Sequence, residues 1–529
     1  MDELTKIALV GTSKYAGSLP EPDHPAAALV TGLADDDRER SLLLRAGARA
    51  AYDLAGRRAV TGVEPIAPAP AETNKTVSRT LTGLLQTVVA AGGHELVIDC
   101  LRQMHEQAIV LPPELLPLLL QSKDAEVRRC LIPVLGERGR WLCQQNPDWS
   151  FFRNSAEQQA LADLEELKRS WDEGTIEERC QALAILRRDD PLTARDWVAR
   201  VYAKEKSNHR VKLVQSLETG LCDDDETFLE SCLNDRSSAV GQVAARLLCL
   251  LPRSALAGRM RGRAAAILAV ETSGLILKKT KLVCSPPQEI DGDWERDGIS
   301  KRAPTGVGER AYWTERVLAA VPPSFWPSQF GLAPAALIAA VTDDPFAAPV
   351  VAGWAEAVIM FASSDPASAE WLAPFWRHCV VAVRILKGAD RASALGRMRV
   401  MLPKMTTDLA EAAVISLFDP ASEWEDVEAL NFLPALSRPW SARFSAALLA
   451  TARRRVQSRA SESAYRWANV LAAHACSIPA ATFPLALAPW EIAAPEEPTT
   501  WFAANIQKEL DKFIATIETR QNFMTELNA

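Results

Sequence analysis

A spacing of 31 residues recurs in the first half of the chain, and it constrains the fold more than any other feature. The segments TIEERCQALAIL, SNHRVKLVQSL and SSAVGQVAARLL end on Leu186, Leu217 and Leu248. Each carries an apolar or small residue three positions earlier. A pair of short helices cannot bury its apolar face alone, whereas stacked pairs share a continuous core. The spacing therefore predicts an array of helical repeats.

The rest of the sequence favours the same fold class. Alanine and leucine recur at helical spacing, for example over 41–56 and 439–456. We predict an all-α fold: a HEAT-like α-solenoid, or helical repeat array, with an irregular connector and a second helical region. Strand-like residues in LILKKTKLV predict one short β-hairpin near 275–295. An irregular all-α bundle is the alternative, because the same periodicity allows it.

Changes in composition indicate where the chain divides. Prolines, glycines and alternating charges interrupt the helical pattern in SPPQEIDGDWERDGISKRAPTGVGER, and such residues prevent a regular helix. The predicted regions are an N-terminal helical region over 1–75, HEAT-like repeats over 76–284, a connector over 285–310, a second helical region over 311–491, and a C-terminal helix over 492–529.

Composition limits the compartment and the partners. The start MDELTKIALVGTSKYAG lacks the basic and apolar regions of a signal peptide, and no apolar stretch reaches about 18 residues. The ten cysteines are scattered without a C-x-x-C pair, which is typical of reduced thiols. These features predict a cytoplasmic protein. A net charge of −8 argues against a large nucleic-acid footprint, which depends on neutralising phosphates.

Known catalytic and cofactor motifs do not match this sequence. The glycine-rich segment ALVGTSKYAGS does not have the spacing of a phosphate-binding P-loop. The six histidines never form H-E-x-x-H or H-x-H, and no G-x-S-x-G nucleophile elbow occurs. We therefore predict no catalytic, metal-binding or cofactor-binding residues and no cofactor.

One short segment, LGERGRWLCQQNPDWSFF, combines a G-x-x-G pattern with arginines and tryptophans. A KH-type clamp needs flanking strands, whereas this segment follows a helix of the repeat series. We interpret it as a helix C-terminus with Gly136 or Gly139 in a left-handed cap. If it binds a ligand, we expect a protein. The candidate partner-binding residues are Arg138, Arg140 and Trp149.

Three segments together resemble a known bacterial family: GDWERDGISKRAPTGVGERAYWTERVLAAVPPSFW, VLGERGRWLCQQNPDW and LLRAGARAAY. The family has unknown function, and its members are described as SWIM zinc-finger-associated proteins. Their genes tend to neighbour those of SWIM zinc-finger, MoxR-type AAA ATPase and von Willebrand A-domain proteins. The resemblance implies an accessory protein of such a system and assigns no catalytic residues. Zinc binding and ATP hydrolysis would then belong to the neighbours.

Two functions are consistent with these features. The favoured hypothesis is a non-enzymatic scaffold or adaptor for protein partners in a MoxR-type ATPase system, without nucleic acid or membrane as partner. The alternative is a HEAT-like nucleic-acid-binding enzyme of the DNA glycosylase type. The fifteen tryptophans and the run Arg453 to Arg455 favour the alternative, and the acidic net charge opposes it.

Overall fold

The chain forms two compact units, Met1–Ala69 and Pro70–Ala529. The computed structural model describes residues 3–20, 30, 37–55, 66–91, 93–149, 164–273, 279–341, 344–419, 424–458, 461–493 and 501–529. In the first unit, α1 (Glu3–Val10) and α2 (Arg38–Ala55) surround a small apolar core. That core contains Leu4, Ile7, Leu19 and Leu42.

The second unit begins with a group of short helices and continues into the repeats. The first group comprises β1 (Lys75–Thr76), α3 (Arg79–Ala90), α4 (His94–Glu106), β2 (Ile109–Val110), α5 (Leu116–Leu120), α6 (Ala125–Leu131) and α7 (Gly136–Gln145). The repeats comprise α8 (Leu164–Glu173), α9 (Ile176–Asp189), α10 (Pro191–Tyr202), α11 (Ser207–Ser216), α12 (Glu226–Cys232), α13 (Ser238–Leu250) and α14 (Ala255–Ile267).

A hairpin and a short helix connect the repeats to the second helical region. These are β3 (Leu268–Ser273), β4 (Lys279–Cys284) and α15 (Gly292–Arg296). The second region comprises α16 (Glu309–Ala319), α17 (Phe325–Phe330), α18 (Pro334–Val341), α19 (Ala347–Met360), α20 (Ser368–Ile385), α21 (Gly388–Met401), α22 (Thr407–Ile415), α23 (Asp426–Leu430), α24 (Ala442–Ser458), α25 (Glu462–Ala473), α26 (Phe483–Leu487) and α27 (Trp501–Asn528).

The predicted all-α repeat fold is confirmed. Helix α11 packs against both α9 and α13. The leucines that define the 31-residue spacing, Leu186, Leu217 and Leu248, are all buried. Each therefore fills the shared core between successive helix pairs, which is why the spacing is visible in the sequence.

Polar turns begin the helices of the repeats. Thr175 and Glu178 form a reciprocal capping box at the start of α9. Asp190 caps α10, and Ser254 caps α14, each through a hydrogen bond from the backbone of the first turn. Each cap satisfies a backbone N–H that has no partner inside its helix, which stabilises the helix by about 1 kcal/mol.

The predicted β-hairpin is present but begins earlier than the sequence suggested. Strands β3 and β4 pair antiparallel, with Leu268 opposite Cys284. Helix α14 continues directly into β3 without a turn. Because the end of α14 is rich in alanine, the sequence pattern stays helical up to the start of the strand. Residues 274–278, which include the start of LILKKTKLV, lie outside the described residues. The backbone N–H of Cys284 donates to Asp344 (3.0 Å), which anchors the base of the hairpin.

The C-terminal helix α27 joins the two ends of the second unit. It packs along α25 and also contacts α3 and α4. Arg520 donates two hydrogen bonds to Asp99 on α4, at 2.8 and 3.1 Å, and two more to the carbonyls of Ala475 and Ile478. We predicted the boundary of this helix within 492–500, and residues 494–500 lie outside the described part of the chain.

Helix length and hydropathy bear on membrane insertion. In the described part of the chain, no single helix is both long and apolar enough to cross a membrane. Helices α13 and α14 meet these criteria only as a pair that bends by 84°.

Arg187 and Asp225 form an ion pair whose side chains are both fully buried. The guanidinium makes two hydrogen bonds to the carboxylate, at 3.0 and 2.6 Å. It also donates to the carbonyls of Pro191, Leu217, Thr219 and Gly220. One side chain thus fixes the turns that end or begin several repeat helices.

We expect Asp225→Ala to lower the free energy of unfolding by about 3–5 kcal/mol, because it leaves the Arg187 cation buried without a counter-charge. Urea denaturation followed by circular dichroism measures this loss. Asp223→Ala is the matched control, since Asp223 is half-exposed in a surface ion pair worth at most about 1 kcal/mol. Equal effects of the two substitutions would contradict the structural role of the buried pair.

His474 makes the junction between the two ends sensitive to acid. Burial, with the nearby Arg438, lowers the pKa of His474 to about 4. Arg438 lies 3.2 Å from Nδ1 of His474, where it can donate only to the neutral ring, and it also contacts Glu95 of α4. As the pH falls, His474 of the unfolded chain binds a proton near pH 6.5, whereas His474 of the folded protein does so only near pH 4. The contribution of His474 to stability is therefore present above pH 6.5 and is lost as the pH falls from 6.5 to 4.

We expect about 2 kcal/mol of the unfolding free energy to be lost through His474 between pH 7 and pH 5. His474→Gln removes the titration and should remove that part of the pH dependence, measured by urea denaturation at both pH values. His105→Gln, at an exposed position of α4, is the control and should behave as the wild type. An unchanged pH dependence in His474→Gln would show that other groups cause it.

Candidate functional site

A groove of about 1090 Å³ opens beside the repeats and the start of the second helical region. On three helices it is lined by Gln242, Ala245, Arg246, Cys249 and Leu250 of α13, by Tyr312, Arg316 and Ala319 of α16, and by Glu356, Ile359 and Met360 of α19. It also includes Glu218, Gly220, Leu221, Met260, Asp297, Gly298, Ile299, Ala320, Ser363, Ser364 and Lys404.

Each of these three helices presents a single face to the groove. Counted from the first lining residue of each helix, the others follow three, four, seven or eight positions later, which places them all on one side of the helix. Helices α16 and α19 pack closely, so their two faces form one wall. Leu221, Met260 and Ile299 are among the apolar residues that line the same space. The groove therefore combines apolar surface with charged groups.

The first charged pair joins two successive repeats. Arg246 of α13 donates to both carboxylate oxygens of Glu218, at 3.0 and 2.7 Å. These hydrogen bonds lower the pKa of Glu218 and raise that of Arg246, so both groups stay charged at neutral pH. The two side chains are 49% and 35% exposed, so the pair adds at most about 1 kcal/mol to stability. Their hydrogen-bonding atoms remain within reach of a ligand.

The second charged group joins the two helices of the wall. Arg316 contacts Glu315 on its own helix, at 2.9 Å, and Glu356 on α19. Burial, followed by repulsion from Glu315, raises the pKa of Glu356 above its usual value, although Arg316 opposes this. Burial alone would lower the pKa of Arg316, yet the two carboxylates outweigh it and raise the pKa. Two carboxylates therefore share one guanidinium at the edge of the groove.

Asp297 in the connector anchors one side of the groove. Its side chain is fully buried and forms ion pairs with Arg259, Arg263 and Arg296. Burial alone would raise the pKa of Asp297, but the hydrogen bonds and charges of these arginines lower it. The connector, predicted as irregular from its prolines and glycines, is thus attached firmly to α14.

The residue after this anchor must be glycine. Gly298 has a φ of +90°, and a Cβ at this position would lie 2.9 Å from the Cβ of Ala245 on α13. Ala245 is one of the small residues that the repeat pattern identified. Its small size is explained by the connector, which passes directly over it.

The groove contains a cysteine, which is not activated. Cys249 is buried, and burial raises its pKa to about 12, so the thiol is neutral at physiological pH and a poor nucleophile. Among the described residues, no group of three or more histidine, cysteine, aspartate or glutamate side chains is arranged to hold a metal ion. The groove is suited to hydrogen bonding and apolar contact.

The candidate residues Arg138, Arg140 and Trp149 lie outside this groove. Arg138 is exposed on α7, Arg140 pairs with Glu137 at 3.1 Å, and Trp149 packs against the core of α3 to α7. Their role in binding a partner stays a prediction.

The cap predicted in this segment differs in detail. Gly136 has the left-handed conformation, with a φ of +63°, but it begins helix α7, whereas Gly139 is buried inside that helix. The backbone N–H of Glu137 donates to Glu72 (2.8 Å), and a Cβ at Gly136 would collide with that carboxylate. The sequence gives no sign of this cap because Glu72 lies 65 residues away.

The arginine run that favoured a nucleic-acid enzyme makes contacts within the fold. Arg453 donates to the carbonyls of Leu485, Ala488 and Pro489, and its guanidinium lies 4.1 Å from the ring centre of Trp490. Arg455 forms an ion pair with Asp426 at 2.8 Å. These two arginines stabilise the ends of neighbouring helices.

The sequence did not identify the groove residues, although two signals were present. Glu218 and Arg246 directly follow Leu217 and Ala245, which are marked positions of the repeat. The segment on which the family resemblance mainly rested, residues 292–326, supplies Asp297, Gly298, Ile299, Tyr312 and Arg316 to the groove.

Comparison with known proteins shows the family to which the chain is similar. A family model described as "Family of unknown function (DUF5691)" matches residues 3–527. No curated protein matches the chain. The resemblance drawn from the sequence is confirmed as far as a family of unknown function. The association with SWIM zinc-finger proteins and their neighbours stays a prediction.

We expect Gly298→Ala to destabilise the protein by about 1–3 kcal/mol more than Gly306→Ala. Both glycines have φ near +90°, but a Cβ at Gly306 meets open space, so the difference isolates the contact with Ala245. Thermal unfolding measures both variants. The double variant Ala245→Gly/Gly298→Ala should recover part of the loss. Equal losses for the two single variants would contradict the packing of the connector on α13.

Proposed function

The chain belongs to DUF5691, a family of unknown function, and we propose that it is a non-enzymatic scaffold that holds a segment of a partner protein in the groove. The observation that carries the proposal is the lining itself: α13, α16 and α19 each contribute one face to a continuous surface. Helical repeats form extended concave surfaces of this kind, and proteins use them to bind other proteins.

The arrangement of charge supports a peptide segment as the ligand. The ion pairs Arg246–Glu218 and Arg316–Glu356 present donors and acceptors beside apolar residues. A polypeptide offers both backbone polar groups and apolar side chains, which match such a lining. The volume slightly exceeds the usual range for small-molecule pockets, so the groove has room for several residues of a chain.

The partner we propose follows from the family resemblance. A MoxR-type AAA ATPase, a von Willebrand A-domain protein or a SWIM zinc-finger protein would dock a segment in the groove, and the scaffold would bring it to the rest of the assembly. The chemistry of ATP hydrolysis would remain with the ATPase.

A photo-crosslinking amino acid placed at position 242 tests the proposal in the native host. Gln242 is exposed in the groove on α13, whereas Gln215 is exposed on α11 outside it. We expect position 242, and not position 215, to capture one of the three partner classes, identified by mass spectrometry.

A second measurement distinguishes groove binding from contact elsewhere. Gln242→Trp should fill the groove and reduce co-purification of the captured partner about tenfold, while Gln215→Trp leaves it unchanged. Recovery of none of these proteins would refute the proposed system. Capture that both tryptophan variants leave unchanged would refute the groove as the site.

A further inference from the structure

Positive charge is concentrated in the helical hairpin formed by α20 and α21. Residues 368–404, which contain both helices, carry seven basic and two acidic side chains, whereas the whole chain has a net charge of −8. One of the seven, Arg391, forms an ion pair with Glu428 on α23 at 2.5 Å. The segment therefore has a positive net charge, although the net charge of the whole protein is negative.

Helix α20 places part of this charge beside exposed apolar side chains. Arg377, Val381 and Ile385 are spaced four residues apart, so they lie along one face of the helix. Val381 is 61% exposed and Ile385 is 77% exposed. The opposite face, with Trp371, Phe375 and other buried residues, packs into the core and fixes the helix in place.

Helix α21 extends the same surface. The two helices pack against each other. Arg397 of α21 is close enough to His378 of α20 for its charge to lower the pKa of that histidine, which burial lowers first. Val400 is 49% exposed and lies three positions after Arg397. We name the resulting surface the basic-apolar patch. Its members are Arg377, Val381, Ile385, Arg397 and Val400.

We infer that the basic-apolar patch is a docking surface for an acidic amphipathic helix of a partner protein. Such a helix presents an apolar stripe at spacings of three and four residues, flanked by carboxylates. The stripe would cover Val381, Ile385 and Val400, and the carboxylates would pair with Arg377 and Arg397. Hydrogen bonds between a guanidinium and a carboxylate are charge-assisted, so they are stronger than those between neutral groups.

The composition of the patch favours this occupant over other anionic ones. Phosphates of a nucleic acid offer no apolar surface to the three aliphatic side chains, and the patch has no aromatic residue on which bases could stack. A membrane-binding helix usually carries a wide apolar face with aromatic anchors. None of the five residues lines the groove, so this inference does not depend on the proposed function.

A fluorescein-labelled 18-residue peptide tests the inference. It carries leucine at every third or fourth position and glutamate on the remaining face, and it is titrated with the full chain at low ionic strength by fluorescence anisotropy. A peptide of the same composition with scrambled leucines is the control ligand. We expect the amphipathic peptide to bind at least about fivefold more tightly than the scrambled one, because only it presents an apolar stripe.

Two double variants examine the two components of the patch. Arg377→Glu/Arg397→Glu should weaken binding about tenfold or more, and Val381→Ser/Ile385→Ser about threefold or more. Arg188→Glu/Arg236→Glu, which reverses two exposed arginines of the repeats, should change it less than about twofold. These positions are exposed or half-buried, so the variants should keep the melting temperature of the wild type.

Three results would overturn the inference. The first is a wild-type protein that does not distinguish the two peptides. The second is equal binding by the patch variants and the control variant. The third is binding of a single-stranded oligonucleotide or of phosphatidylglycerol vesicles, lost in Arg377→Glu/Arg397→Glu, in a protein that does not bind the peptide. That third result would assign the patch to a nucleic acid or a lipid surface.

Discussion

The buried guanidinium of Arg187 organises the turns on which the repeat array depends. Stacked helix pairs gain stability from a shared apolar core, but every helix that ends inside that core leaves carbonyl groups without partners. Arg187 donates to three carbonyls just after the end of α11, those of Leu217, Thr219 and Gly220, and to the carbonyl of Pro191, and it is itself neutralised by Asp225. Gly220 lies so close that a Cβ there would be 2.3 Å from the carbonyl oxygen of Arg187. A second buried charge, the carboxylate of Asp297, stabilises the structure further along the chain by forming ion pairs with three arginines.

The sequence predicted what repeats locally and missed what depends on distant residues. The leucines at 31-residue spacing are buried as expected, because each performs the same task in its own helix pair. The cap on α7 could not be predicted, since its acceptor, Glu72, comes from a separate part of the chain. The groove was missed for the same reason. Its walls bring together Arg246 and Glu356, which are more than 100 residues apart and match no motif.

The groove and the basic-apolar patch use charge in different ways. In the groove, Arg246 and Arg316 already have carboxylate partners, so a ligand gains little from bringing further charge. The groove must therefore recognise its ligand by shape, apolar contact and hydrogen bonds. Salt has only a weak effect on these interactions. On the patch, Arg377 donates to the carbonyl of Ala373 and Arg397 donates to the hydroxyl of Ser393, which are both uncharged groups, so opposite charge on a partner attracts it from a distance. The two proposed binding surfaces therefore use interactions that do not compete with each other.

Helix α27 packs against the first helices of the second unit, and this contact affects how well the groove can bind a ligand. An open helical array changes its curvature through small rotations between neighbouring repeats, and each rotation would alter the width of a groove that several helices share. Arg520 joins α27 to α4 across 421 residues of sequence, and Phe523 and Leu527 bury their side chains among α3 to α7. Because the first helices of the unit pack on its last, these rotations are restricted. The groove is therefore held close to its final shape before a ligand arrives, so that less binding free energy is lost to ordering the protein.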